Sequence, residues 1–141
     1  MIEFRSCAFG SAEFADCLAI RMEVFVVEQK VPEDEERDEW DETARHFLAL
    51  LNDQPAATAR ALAKAPGLMK IGRVAVRAPY RGTGLGARLM RAVEAEYPGA
   101  ALMLDAQLQA LNFYAKLGYV PEGPVFDDAG IPHRRMVKQP A

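Results

Sequence analysis

The sequence predicts a single mixed α/β domain. From residue 68 onward, apolar strand-like runs alternate with stretches of helical period: "LMKIGRVAVR", "ARLMRAVEAEY", "AALML" and "AQLQALNFYAKLG". Before them, "RHFLALL" and "AATARALAK" flank the turn-type stretch "NDQPA" and read as a hairpin. No repeat, linker or low-complexity tract interrupts the 141 residues, and a chain of this size can bury one real core. One domain over residues 1–141 is expected.

In chain order, "MIEFRSC" alternates apolar and polar positions and reads as a first strand. Ser11 is an N-cap candidate for the helix that follows, with Phe14, Leu18, Met22 and Phe25 on one stripe. Val24, Val26 and Val27 are β-branched and weaken that helix toward its end. Eight of the ten residues from Glu33 to Glu42 are acidic, which suggests a loop or short solvated helix. The hairpin comes next, its second arm alanine-rich, and then the central strand "LMKIGRVAVR". "ARLMRAVEAEY" turns Leu89, Met90 and Val93 inward and stops at Pro98 and Gly99. "AALML" is a short buried strand ending at Asp105. The helix "AQLQALNFYAKLG" places Leu108, Leu111, Tyr114 and Ala115 near one face, with Gly118 as its C-cap. Two short strands around a Pro/Gly/Asp turn complete the order β, α, loop, hairpin, β, α, β, α, β, β.

Composition narrows the function. A net charge of −3 argues against a general nucleic-acid binder. No apolar run approaches the length of a membrane span, and the N-terminal stretch lacks the pattern of a secretion signal. Cys7 and Cys17 lack metal-type spacing and read as two reduced thiols in a cytoplasmic protein, so no metal is expected.

"YRGTGLG" places Gly82, Gly84 and Gly86 between a strand and a helix. Such a loop lets backbone N–H groups close around an anion, and the helix start adds unpaired donors and a partial positive charge. Arg81 and Arg88 flank it and offer charge-assisted contacts to phosphate. A simple turn needs one special glycine rather than three. A Walker A loop is excluded because no Gly-Lys-Ser/Thr follows. A dinucleotide fingerprint is met by Gly82, Gly84 and Ala87, with Asp105 as the ribose-binding acid. That reading needs a second βαβ half, and too little chain remains after Asp105.

"RVAVRAPYRGTGLGARLM" resembles the acetyl-CoA signature of the GNAT superfamily of N-acyltransferases, Gln/Arg-x-x-Gly-x-Gly/Ala. "AQLQALNFYAKLGYV" is similar to its second signature, a tyrosine followed by Lys-x-Gly-aromatic. "VFVVEQKVPEDEERDEWDETARH" and "GIPHRRM" resemble the ElaA/YjcF-like branch. One departure is Gln107, where the family often has an asparagine seven residues before the tyrosine.

The resemblance implies a mixed, twisted sheet of about six to seven strands, splayed in the middle, with helices on both faces and acetyl-CoA in the cleft. It implies that the pyrophosphate lies on the N–H groups of Arg81, Gly82, Thr83, Gly84, Leu85 and Gly86. The pantetheine would run along Val74, Ala75 and Val76 like an added strand, with Gln107 bonding to it. Tyr114 would protonate the leaving thiolate, and a backbone N–H at Val76 would stabilise the oxyanion. Glu28, His133 and His46 are candidates for the base, beside a water chain with no dedicated base. The acidic run reads as a solvated face or as a funnel for a cationic amine, with Trp40 as a pocket wall or a cover for the core. The expected partners are a small-molecule or peptide amine, and a homodimer is an open expectation. A CoA-binding sensor without catalysis and a dinucleotide-dependent oxidoreductase are the alternatives.

Overall fold

The structure is a computed structural model and describes residues 1–140. Strand β1 (Ile2–Cys7) leads into helix α1 (Ala12–Arg21), whose Ser11 Oγ accepts the N–H of Phe14 at 3.2 Å. That N-cap is the expected one. The helix does not end where the valines begin. It continues as a π-helical segment, Met22–Glu28, in which Gln29 N–H bonds the Val24 carbonyl. The widened turn changes which residues face inward. Phe14, Cys17, Ile20, Arg21 and Val24 are buried, whereas Leu18, Met22 and Phe25 of the expected stripe are only half-buried.

The acidic run forms a short helix α2 (Glu33–Glu36) and a 3₁₀ turn (Glu39–Glu42). Strands β2 (Arg45–Leu51) and β3 (Gln54–Ala65) form the hairpin, turning at Asn52 and Asp53, which both have positive φ. Asn and Asp tolerate that conformation better than other side chains. β4 (Leu68–Val76) is the central strand, followed by a 3₁₀ turn (Ala78–Tyr80) and helix α3 (Leu85–Ala95). β5 (Ala101–Gln107) runs longer than the sequence suggests, absorbing Ala106 and Gln107. The helix expected there is therefore only a 3₁₀ turn (Leu108–Ala110) and a short α4 (Leu111–Lys116), leaving Leu108 and Ala115 exposed. β6 (Val120–Asp128) and β7 (Ile131–Lys138) close the chain as a hairpin, longer than anticipated.

Among the described residues, seven strands form one sheet in the order β1-β2-β3-β4-β5-β7-β6. Its pairs are antiparallel except β4–β5, which is parallel. Period-two alternation splits β2 between two cores: Phe47 and Ala49 face α3 and α4, while Leu48 and Leu50 face α1. Helices thus cover both faces. On α3, Leu85, Leu89, Met90 and Val93 are buried, each stabilising by roughly 1.5–3 kcal/mol. Cys7 and Cys17 are free and buried, and burial pushes the Cys17 thiol up to about 12. Among the described residues, no helix is long and apolar enough to cross a membrane.

Candidate active site

The cleft is made by a failure of strand pairing. β4 and β5 are paired only at Leu68–Ala101, Met69–Leu102 and Lys70–Met103. Beyond Lys70 they separate, leaving one edge of β4 without a ladder partner. Near the separation β4 carries a bulge. Thr58 pairs with Ala75 and Arg60 with Gly72, so Ala59 alone faces Arg73 and Val74. Arg73 has φ +52°, a left-handed conformation in a side-chain-bearing residue. Past the bulge, Arg77 N–H bonds the Ala56 carbonyl of the β3 side. Alternation then turns the N–H and C=O of Val76 to the open edge. A cavity of about 770 Å³ fills this gap, lined by Val74, Ala75 and Val76 and by the glycine loop. Tyr114, Glu28, Gln107 and His133 also line it.

The loop is shaped as its glycines suggest, with one correction. Gly82 and Gly84 have φ of +76° and +83°, which a side chain would resist. Gly86 serves differently. A Cβ there would meet the Phe113 ring and Val76 at 3.3 and 3.5 Å, so its bareness permits close packing. Arg81 N–H is already engaged by the Ala78 carbonyl at 3.3 Å, so the row of unbonded N–H groups starts at Gly82, not Arg81. The N–H groups of Gly82, Thr83, Gly84, Leu85, Gly86 and Ala87 have no protein acceptor among the described residues. The Thr83 hydroxyl donates to the Tyr80 carbonyl at 2.6 Å and fixes the loop, and the Leu85 side chain is core.

Tyr114 is 8% exposed, packs edge-on to Phe113 and Tyr119, and its hydroxyl has no protein partner among the described residues. Burial pushes its phenol well above the ordinary tyrosine value, so it stays a proton donor. His133 is 9% exposed and stacks on Phe126. Its Nδ1 lies 2.7 Å from the Ile131 carbonyl. A carbonyl only accepts, so Nδ1 carries the hydrogen and the neutral ring presents Nε2 as an acceptor. Glu28 lies in the cleft wall, but its Oε1 takes the Arg81 guanidinium at 2.6 Å, and Arg81 Nε also donates to the Val76 carbonyl at 2.8 Å. Gln107 is engaged by protein: its Nε2 donates to Gln29 Oε1 at 2.8 Å, and Gln109 donates to its Oε1.

Two candidates fall outside the site, and a third, Asp105, lines it but is already engaged. His46 is fully buried, edge-on to Phe14, with Nε2 on the Asp41 carbonyl at 2.9 Å, and burial lowers its pKa. Trp40 is 53% exposed and does not line the cavity. Asp105 could not serve a ribose, because Lys70 and Arg135 hold it at 3.2 Å each. Burial alone would raise the Asp105 carboxyl, but those two cations hold it below the usual range. No second parallel βαβ half exists among the described residues, which removes the dinucleotide reading.

The acidic run is a solvated face only in part: Glu33, Asp34, Glu35, Glu39 and Glu42 are exposed, and the other three acids turn inward. Glu36 and Asp41 are buried, and three arginines meet them and Asp38. Arg21 pairs with Glu36 at 3.0 Å and Asp41 at 2.9 Å. Arg60 pairs with Asp41 at 2.9 Å and Asp38 at 2.7 Å. Arg73 pairs with Asp38 at 3.1 Å and Glu36 at 3.0 Å. Burial would raise the Asp38 and Asp41 carboxyls, but the hydrogen bonds and charge of their arginines outweigh it and hold both low. For Glu36 burial wins, and its carboxyl is raised. Sequence reasoning missed Arg73, Gln29 and the π segment. The one signal for Arg73 was Gly72, since glycine inside a strand pattern often marks a bulge.

Comparison with known proteins agrees with this geometry. A family model described as an acetyltransferase (GNAT) domain matches residues 11–140. The uncharacterized N-acetyltransferase YjcF of Bacillus subtilis is 38% identical over 135 residues, covering 93% of this chain and 96% of the relative. The crystal structure of Escherichia coli ElaA superposes with a TM-score of 0.86 at 33% identity, over 99% of this chain and 100% of that one. An acyl-CoA N-acyltransferase from Pseudomonas aeruginosa gives 0.84 at 31% identity, over 98% and 99%.

Proposed function

Because this chain belongs to the GNAT acetyltransferase family, and to its ElaA/YjcF-like branch, we propose that it moves an acetyl group from acetyl-CoA to a primary amine by direct attack in a ternary complex. That it is an acyl-CoA-dependent N-acyltransferase follows from the family. The acetyl group, the amine and the residue roles are the proposal. One observation carries it: a row of unbonded N–H groups at residues 82–87 opens into the same cavity as the unpaired edge of β4, Tyr114 and His133.

The residues fit the donor. The loop N–H groups and the α3 N-terminus receive the pyrophosphate, and the Val74–Val76 edge receives the pantetheine amides as a further strand would. Gln107 is assigned less, because its amide is already bonded to Gln29 and Gln109.

The amine must be neutral to attack. With a pKa of about 10.4 it is charged at pH 7, and deprotonation costs about 4.6 kcal/mol. His133 Nε2 is the group we assign to accept that proton. Glu28 is assigned to hold Arg81, which in turn fixes the Val76 carbonyl. As the amine nitrogen bonds to the thioester carbon, the carbonyl oxygen gains negative charge, and a β4-edge N–H at Val76 stabilises it. The C–S bond then breaks, the thiolate takes the Tyr114 proton, and the second proton that the nitrogen sheds on becoming an amide restores the Tyr114 hydroxyl. The products are an amide and free CoA. The acceptor is a small-molecule or peptide amine, and two buried free thiols suit a reducing, cytoplasmic setting.

The deciding experiment is CoA release against a panel of amines and amino-terminal peptides, with His133→Gln alongside. We expect the variant to lose about 10²-fold in kcat near neutral pH and to keep its CoA affinity. Unchanged kcat would remove His133 from the role, and no release with any amine would remove the function.

A further inference from the structure

Arg73 occupies a position where the backbone favours glycine. Its φ is +52°, it lies in the β4 bulge opposite Ala59, and it lines the cleft. What keeps a long, charged side chain there is on the page. Arg73 Nε and Nη2 donate to the Glu36 carbonyl at 3.2 and 3.1 Å, and Nη2 reaches Asp38 Oδ2 at 3.1 Å. Those partners are held in turn. Glu36 and Asp41 share Arg21, and Asp38 and Asp41 share Arg60. Followed round, the contacts close: Arg21, Asp41, Arg60, Asp38, Arg73, Glu36 and back to Arg21. Signs alternate at every step, and each charge has an opposite charge on both sides.

The ring also joins two walls of the cleft. Arg21 ends α1 where the π segment begins, and that segment carries Phe25 and Glu28. Arg73 belongs to the strand whose open edge carries Val74 and Val76. Glu36 ties the two arginines together directly.

We propose that this six-membered charge ring holds the β4 bulge in its left-handed turn, and that Arg73 is thereby a positioning residue for acyl transfer, aiming the Val74–Val76 edge at the donor's carbonyl. The proposal rests on the acyltransferase reading above. A ring serving stability alone has no need of a member at a strained backbone position in the cleft wall.

Two substitutions separate positioning from stability. Arg73→Ala and Arg73→Gly delete the same guanidinium and should both lower Tm, alanine by more because it keeps the strain. Glycine accepts a positive φ and alanine resists it. Assayed well below Tm, Arg73→Ala is expected to lose about tenfold or more in kcat, and Arg73→Gly to recover at least about fivefold of that loss. KM for acetyl-CoA should rise by less than kcat falls in Arg73→Ala, because the glycine loop still holds the pyrophosphate while the Val74–Val76 edge shifts. Equal kcat in the two variants would overturn the proposal. If neither folds, Asp38→Asn keeps the carboxyl's shape and removes its charge. It should lower kcat by more than it raises the donor KM, whereas a lower Tm with unchanged kcat would count against us. Amide hydrogen exchange across residues 72–76 reads the bulge without any amine. We expect faster exchange in the alanine variant than in the glycine variant, and equal rates would overturn the idea. A wild-type protein that acetylates nothing would remove the functional reading, while these exchange rates would still decide the ring.

Discussion

The two halves of the cleft are built from different materials. One half, which we propose for the donor, is backbone: the N–H groups of residues 82–87 and the bare edge of β4. The other, which we propose for the acceptor, is side chains fixed from a distance, as Arg21, Arg60 and Arg73 reach acids of α2 and the turns after it. A backbone site depends on local φ values and can be written in a few consecutive residues. A side-chain site depends on which distant segments the fold brings together. The first should tolerate surface change and fail on one Cβ, and the second should fail on one charge.

The largest effect should come from breaking the acceptor half at its buried centre. Arg21 is 1% exposed and faces two buried acids. We expect Arg21→Ala to cost about 3 kcal/mol of stability, because two buried carboxylates each lose one of their two arginines. Urea denaturation measures it, and a loss below about 1 kcal/mol would mean that the acids find other partners. Next comes Tyr114→Phe, at the seam between the halves. We expect kcat to fall about 10²-fold with the CoA affinity unchanged. Since burial raises the Tyr114 phenol, it remains protonated past pH 10, so kcat should show no alkaline limb from this group up to about pH 10. The donor half is tested by Gly84→Val, where φ is +83°. A β-branched residue there should raise the acetyl-CoA KM by about 10-fold or more and leave the acceptor KM unchanged.

Smaller effects sharpen the contrast. Asp38 and Asp41 titrate below their ordinary value in the folded state. The stability they contribute is complete above the unfolded carboxylate pKa and is lost as pH falls through their lower folded values. His46 acts in the same direction at higher pH. Its folded pKa is lowered, so the unfolded chain takes up a proton first as pH drops below about 6.5. Tm should therefore decline in two stages on acidification, and His46→Gln should remove the upper one. Smallest of all is the effect of salt on the acceptor. Glu36, Asp38 and Asp41 are matched by three arginines, and of the five exposed acids of the run only Glu35 lines the cavity. The acceptor KM should move less than about twofold between low and high ionic strength. A steep dependence would restore the electrostatic funnel.

The same contrast explains what the sequence disclosed. "RGTGLG", the period of α3 and the Asn52–Asp53 turn are local patterns, and each appears in the structure where the residues put it. Tyr114 was legible because a tyrosine ahead of Lys-x-Gly-aromatic is a spaced motif. Glu33 to Glu42 was legible only in part: five of its acids are solvated, the usual fate of a charge run, but Glu36, Asp38 and Asp41 turn to arginines that lie far off in the sequence, on α1, β3 and β4. The α1 stripe was misassigned for a related reason. A period of 3.6 residues does not hold through a π segment, and nothing local announces the change from one to the other. His46 and His133 looked equivalent as lone histidines. Only strand register separates them, pairing His46 with Cys7 beneath α1 and His133 with Gln107 at the cleft.

Three residue pairs between β4 and β5 are all that stitch the two halves of the sheet before they part. A pantetheine chain lying in that slot would supply rungs the polypeptide itself omits, so the donor would be a structural member as well as a reagent. Occupancy should then stiffen the whole molecule across the gap, and melting with acetyl-CoA at 100 times its Kd should report about 2.7 kcal/mol of added resistance.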